Sequence, residues 1–171
     1  MKFIKKHVLI IIFVFLILLD QLTKLYVVKT LQEYSIELIL DIKLTYVENT
    51  GGAFGIAQNS ILGFIAINVV VLGIIIRFLY IQKDKIDFKS KFSLYMILAG
   101  GIANLLDRTI RGFVVDFIDV THYIKFPMFN LADMYIVIGW ILFAIFTLFL
   151  NSATKKIDEE IKQIEDKSRC E

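Results

Sequence analysis

Four long apolar blocks, Val8–Leu19, Ile61–Tyr80, Phe92–Leu106 and Leu131–Leu150, decide what this chain can fold into. A bilayer core about 30 Å thick needs roughly 20 helical residues to cross it. The second and fourth blocks have that length, interrupted only by Asn68 and Asp133. The first reaches it if its helix runs on through Asp20 and Lys24 to about Val28, and the third needs extension at one or both ends. Hydrophobic residues make up 57% of the chain and the mean hydropathy is +0.71, whereas soluble domains run about 45–50% apolar. The expectation is an all-α membrane protein: four transmembrane helices in one domain over residues 1–150, then a charged tail over 151–171.

Lys2, Lys5 and Lys6 before the first block resemble the start of a cleaved signal peptide, but no small-residue cleavage site follows Leu19. The block is therefore read as a retained span. Basic residues set the orientation, because cytoplasmic loops are enriched in lysine and arginine. Thirteen of the 19 fall before the first span, between the second and third, and after the fourth; six fall in the other two connections. Both termini are expected in the cytoplasm, with regions 20–60 and 107–130 facing outward. The net charge of +2 reflects this distribution and gives no reason to expect a nucleic-acid partner.

Between the first two spans, Ile36, Leu38 and Leu40 alternate before Asp41, and Ile42, Leu44 and Tyr46 alternate after it. That period of two predicts a small extracytoplasmic hairpin over Ser35–Tyr46. The glycine-dense Asn49-Thr50-Gly51-Gly52-Ala53-Phe54-Gly55 follows and turns the chain back toward the second span. In the tail, Ile157, Ile161 and Ile164 at helical spacing among charges predict a surface-lying amphipathic helix. The single cysteine, Cys170, lies in that tail, so no intrachain disulfide can form.

Elimination narrows the chemistry. His7 and His122 are far apart and no H-E-x-x-H is present, so a zinc protease is unsupported; nor is there a G-x-S-x-G elbow. Carboxylates, amides and a guanidinium remain near the apolar segments. Ionisable groups at membrane depth cost about 2.5–3.5 kcal/mol on insertion scales, so they need partners or a function. Asp20 and Lys24 lie four apart on one helical face, which a structural ion pair explains equally well. Asn104 and Arg108 share a face at the end of the third block, where Arg108 suits the helix dipole; Gly100, Gly101 and Ala103 permit close helix approach.

The most informative acids come next. Val114-Val115-Asp116-Phe117-Ile118-Asp119 is a short apolar segment carrying two, and Asn130-Leu131-Ala132-Asp133 opens the fourth span. Asn130 is a good N-cap and Asp133 falls at the third helical position, near free backbone N–H groups. Capping accounts for Asn130 but only partly for an acid inside an apolar run. Two carboxylates brought together suit peptide-bond hydrolysis: one ionised to take a proton from water, the other protonated to polarise the carbonyl. Residue types do not choose the pair among Asp20, Asp107, Asp116, Asp119 and Asp133.

Taken in order, Asp20-Gln21-x-x-Lys24, Asn49-x-Gly51-x-Ala53-Phe54-Gly55, Asn104-x-x-Asp107-Arg108, Val114-Val115-Asp116-Phe117 and Phe129-Asn130-x-Ala132-Asp133 resemble the lipoprotein signal peptidase (signal peptidase II) family, over about residues 8 to 150. No single motif is specific, whereas all five in sequence are. The resemblance implies an intramembrane aspartic endopeptidase with Asp116 and Asp133 as catalytic dyad. It implies a substrate-binding shell of Asn49, Asn104, Arg108 and Asn130, with Asp20, Lys24, Gly51, Asp107 and Ala132 in support. The substrate it implies is a prolipoprotein whose cysteine carries a diacylglyceryl group, cut just before that cysteine. It implies no metal or organic cofactor and a hairpin like the family's membrane-surface β-cradle; a monomer with membrane lipid around it is expected. Ala99, Ala103 and Gly52 are small-for-small departures that touch helix packing rather than chemistry. Asp119 is a rival acid, read as solvent-facing.

Two other classes compete. An ion-coupled transporter would spread polar residues along its spans, whereas here they gather toward the outer ends. A non-catalytic membrane chaperone would tolerate loss of either acid.

Overall fold

The first helix, α1 (Lys2–Thr30), runs unbroken through Asp20 and Lys24, which gives the first apolar block its full membrane-crossing length. The computed structural model describes residues 2–51, 60–150 and 161. The Ala53-Phe54-Gly55 part of the glycine-dense motif, the expected tail helix except Ile161, and Cys170 lie outside those residues. After α1 come β1 (Ile36–Glu37), β2 (Lys43–Asn49), α2 (Ile61–Ile81), α3 (Phe88–Ile110), β3 (Val114–Asp119) and α4 (Leu131–Ala144), the last continuing into a π-helical stretch, Ile145–Leu150.

Among the described residues, three segments are long and apolar enough to cross a membrane: His7–Thr30, Ile61–Ile81 and Leu131–Leu148. Their outward faces are bare hydrocarbon, with Ile11 67% exposed and Leu62 81% exposed. Contiguous apolar surface of this extent is not sustained in water, and the chain is a membrane protein. The remaining helix, α3, has 23 residues, about 34 Å at ~1.5 Å per residue. It is the central helix: Leu94, Ile97 and Leu98 pack with Leu72 and Ile75 of α2 in one core cluster, against Phe13 of α1 and Phe143 of α4. Asp87 caps its start, accepting from Lys89 N at 2.9 Å and Ser90 N at 3.3 Å.

Glycine lets α3 and α4 cross closely. A Cβ on Gly100 would lie 2.2 Å from the Ala132 carbonyl oxygen, and one on Gly139 would lie 2.9 Å from the Ser93 carbonyl oxygen. Backbone cannot swing aside as a side-chain tip can. Gly100→Ala is therefore expected to force α4 outward at the residue preceding Asp133, at a cost of about 1–3 kcal/mol as overpacking. A thermal melt in detergent, read beside turnover, checks this: both fall.

The strands correct the expected topology. The hairpin is present, but β1 has only two residues, and an irregular turn follows in which Leu40 (φ 62) and Asp41 (φ 51) adopt left-handed backbone. The chain reverses there, with Leu38 N donating to Ile42 O at 2.7 Å. The second strand runs on to Asn49 because it has another partner: β3 pairs with it antiparallel, making a three-stranded sheet in the order β1-β2-β3. The all-α expectation with a lone hairpin thus becomes a helical protein with a small sheet. Strand alternation sends Val115 and Phe117 to one side, where they join Val27 and Leu31 at the end of α1 in a second core cluster. Asp116 faces the other way. Gly112 (φ 80) makes the turn that brings the chain off α3 into β3, a role for which glycine is suited.

Candidate active site

Asp116 is placed by two backbone pairings. On one side it lies opposite Val47 of β2, so Asn49, two residues on along the same face, reaches it diagonally: Asn49 Nδ2 donates to Asp116 Oδ2 at 2.8 Å. On the other side, Ile118 and Phe129 exchange backbone hydrogen bonds at 2.8 and 3.2 Å. This sets Asn130 beside β3, where its Nδ2 donates to Asp116 Oδ1 at 2.7 Å.

Asn130 also begins α4. Its Oδ1 accepts from Asp133 N at 3.0 Å, and Asp133 Oδ2 accepts from Asn130 N at 3.2 Å, a reciprocal capping box. Asp133 Oδ1 accepts from Asn104 Nδ2 at 2.7 Å. Asn130 therefore touches both acids, one through its amide and one through its backbone. Asp116, on the strand, is pushed up to about 7 by burial first and by the charge of Asp133 second; its amide partners and Lys24 act in the opposite direction. Asp116 therefore keeps its proton below about pH 7.

Behind the acids lies a buried ionic cluster. Lys24, with no solvent exposure, contacts Asp20 Oδ2 and Asp107 Oδ2, each at 2.8 Å, and donates to Asn104 Oδ1 at 2.9 Å. Asp20 Oδ1 accepts from Ala132 N at 2.9 Å, pinning the first turn of α4 to α1. Asp107 Oδ2 accepts from Val115 N at 3.4 Å, pinning β3 to α3. Gln21, which sequence reasoning left without a role, donates to Asp107 Oδ1 and the Ala103 carbonyl, both at 3.2 Å, and joins α1 to α3. Its signal was available: it lies on the same helical side as Lys24, one turn back.

Arg108 does not form an ion pair with either acid. Its guanidinium donates to the Gly51 and Asn104 carbonyls, both at 3.4 Å, and stands over the Phe64 ring at 5.3 Å from its centroid. Gly51 N in turn donates to Asn49 Oδ1 at 3.0 Å. Arg108 thereby steadies the turn that aims Asn49 at Asp116. Lysine cannot span two carbonyls with a planar fork, so Arg108→Lys is expected to lower turnover roughly tenfold, the equivalent of one hydrogen bond of about 1.4 kcal/mol. Steady-state cleavage kinetics check it, and unchanged turnover would reduce Arg108 to a topological charge.

Asp119 stands apart. Its Oδ1 accepts from Thr121 N at 2.8 Å, and it lines an open surface pocket with Asp41, Lys43, Thr121 and His122. The Thr121 contacts and Lys43 hold it below the usual carboxylate range. Every other candidate (Asp116, Asp133, Asn49, Asn104, Arg108, Asn130, Asp20, Lys24, Gly51, Asp107 and Ala132) is joined into one connected network. Among the described residues, no group of three or more His, Cys, Asp or Glu is arranged to hold a metal ion.

The profile described as Signal peptidase (SPase) II matches residues 12–149. The chain belongs to the signal peptidase II family. It is 36% identical over 148 residues to a lipoprotein signal peptidase of Clostridioides difficile, covering 85% of this chain and 98% of that one. It is 42% identical over 143 residues to a lipoprotein signal peptidase of Caldanaerobacter subterraneus, covering 82% and 95% respectively. A bacterial membrane enzyme solved by the in meso method at 2.3 Å superimposes with a TM-score of 0.75 at 32% identity, covering 87% of this chain and 92% of the other. The chain thus shares its sequence with lipoprotein signal peptidases and its architecture with that bacterial membrane enzyme.

Proposed function

We propose that this signal peptidase II family member is an aspartic endopeptidase that removes the signal peptide from diacylglyceryl-modified prolipoproteins, cutting before the lipidated cysteine. The observation that carries the reading is Asn130 held between buried Asp116 and half-buried Asp133, donating to Asp116 at 2.7 Å while capping Asp133. Asp133, in the N-terminal turn of α4, is the base. It takes a proton from a water that attacks the scissile carbonyl, while Asp116 gives its proton to the carbonyl oxygen. When the tetrahedral adduct collapses, the C–N bond breaks, the cysteine nitrogen leaves with the proton held by Asp133, and one hydroxyl of the adduct returns its proton to Asp116. The products are a signal-peptide carboxylic acid and a free cysteine amine, and no cofactor is needed.

In this reading α3 is a fourth span, both termini are cytoplasmic, and the sheet lies on the outer face beside the cleavage plane. The lipid chains of the substrate would then sit against the bare apolar helices. Activity is proposed to reside in the monomer. The test is purified protein in lipid vesicles, given a diacylglyceryl-modified precursor and its unmodified counterpart. Release of the signal peptide from the first only is expected; no cleavage of either, or equal cleavage of both, contradicts the substrate assignment.

A further inference from the structure

The three N–H groups of Lys24 have three acceptors: Asp20 Oδ2, Asp107 Oδ2 and Asn104 Oδ1. An ammonium only donates, so the Asn104 amide must turn its oxygen toward Lys24, which leaves Nδ2 facing Asp133 Oδ1 at 2.7 Å. The opposite amide orientation would set N–H against ammonium and carbonyl against carboxylate. Two attractive contacts would become two repulsive ones in a buried site, where charges interact more strongly than in water. The same Asn104 oxygen accepts from Asn130 Nδ2, but at the longer 3.3 Å and from a neutral donor. Asn130 has its own anchor in the helix cap. Asn104 depends chiefly on Lys24.

We propose that Lys24 is a positioning residue for the dyad: its ammonium fixes the orientation of the Asn104 amide, so that Asn104 presents N–H to Asp133 and holds it as the base. This rests on the dyad reading above and assigns Lys24 more than an ion-pair role. Charge on α1 is thereby converted into a directed donor on α3, acting on an acid of α4. Asp20 and Asp107 make this possible by compensating the buried cation.

The test is a mutant cycle in an Asp107→Asn background, so that adding Lys24→Met removes one buried cation where one buried anion is already gone. Turnover of a lipid-modified precursor is measured for Asp107→Asn alone, with Lys24→Met, with Asn104→Leu, and with both, each corrected for folded protein by thermal melt. Lys24→Met is expected to lower kcat about 10²-fold, the scale of a misplaced catalytic group, with KM nearly unchanged. Because the two residues act in series, the combined variant should be no worse than Asn104→Leu. Losses that multiply, or a Lys24→Met loss confined to the amount of folded protein, would overturn the proposal. Asp116→Asn measured alongside separates the two readings. Cleavage by it overturns the dyad itself, whereas an inactive Asp116→Asn beside multiplying losses overturns the role of Lys24 alone.

Discussion

Asp116→Asn and Asp133→Asn are each expected to abolish cleavage while leaving the protein inserted and able to bind its precursor. Asparagine preserves size and part of the hydrogen bonding: its one amide oxygen can still accept one of the two donors at each position, from Asn130 N or Asn104 Nδ2 at 133 and from Asn49 or Asn130 at 116. What it cannot do is take or give the proton that water attack requires. Loss of one general acid–base group costs typically about 10²–10⁴-fold, and in the proposed mechanism both groups serve one proton circuit. Asp119→Asn is the internal control, because Asp119 accepts from Thr121 N and lines a surface pocket whose other members, Asp41, Lys43, Thr121 and His122, lie outside the network; substantial turnover is expected. A cleavage time course with each variant decides the matter. Near-normal cleavage by either dyad variant, or an inactive Asp119→Asn beside an active Asp116→Asn, would mean the wrong acids had been chosen.

The second large effect falls on Asn130, whose two functions can be separated. Asn130→Ala loses the cap on Asp133 N and the donor to Asp116 together. The missing cap alone costs about 1 kcal/mol of stability, and the misplaced acids about 10²-fold in turnover. Asn130→Asp keeps an oxygen for the cap, since aspartate caps as well as asparagine, but replaces the donor with a third carboxylate. Its melting temperature should stay near that of the parent while turnover falls as far as in Asn130→Ala. If Asn130→Asp retains activity, the amide donor to Asp116 is dispensable and capping is the residue's whole role.

Much of this was legible because the informative residues are expensive where they stand. Asp20, Lys24, Asn104 and Asp133 interrupt apolar helices, and the Asn130 to Asp133 spacing is a capping box written in the sequence. What remained hidden depends on long-range pairing. β3 has six residues and pairs with a strand about 70 positions earlier, so Val114–Asp119 alone could not be told from an apolar loop. Leu40 and Asp41 break the period-two pattern of the hairpin through left-handed backbone, which neither residue type announces. The partner of Arg108 was equally hidden: the expected planar fork finds backbone carbonyls, one from the Gly51 turn. The orientation of an asparagine amide is legible only once its neighbours are known.

In the proposed mechanism two acids share the work of one proton, which Asp116 holds below about pH 7. Burial and the charge of Asp133 raise Asp116 to about 7, so the proton it donates is present below that value and lost above it. Infrared titration of the reconstituted protein measures this directly, through the carbonyl stretch of a protonated carboxyl that is absent from Asp116→Asn. A band is expected that disappears with a midpoint near pH 7 and, in Asp133→Asn, at lower pH because the neighbouring charge is gone. A carboxyl at Asp116 already ionised at pH 5, or a midpoint unmoved in Asp133→Asn, would contradict it.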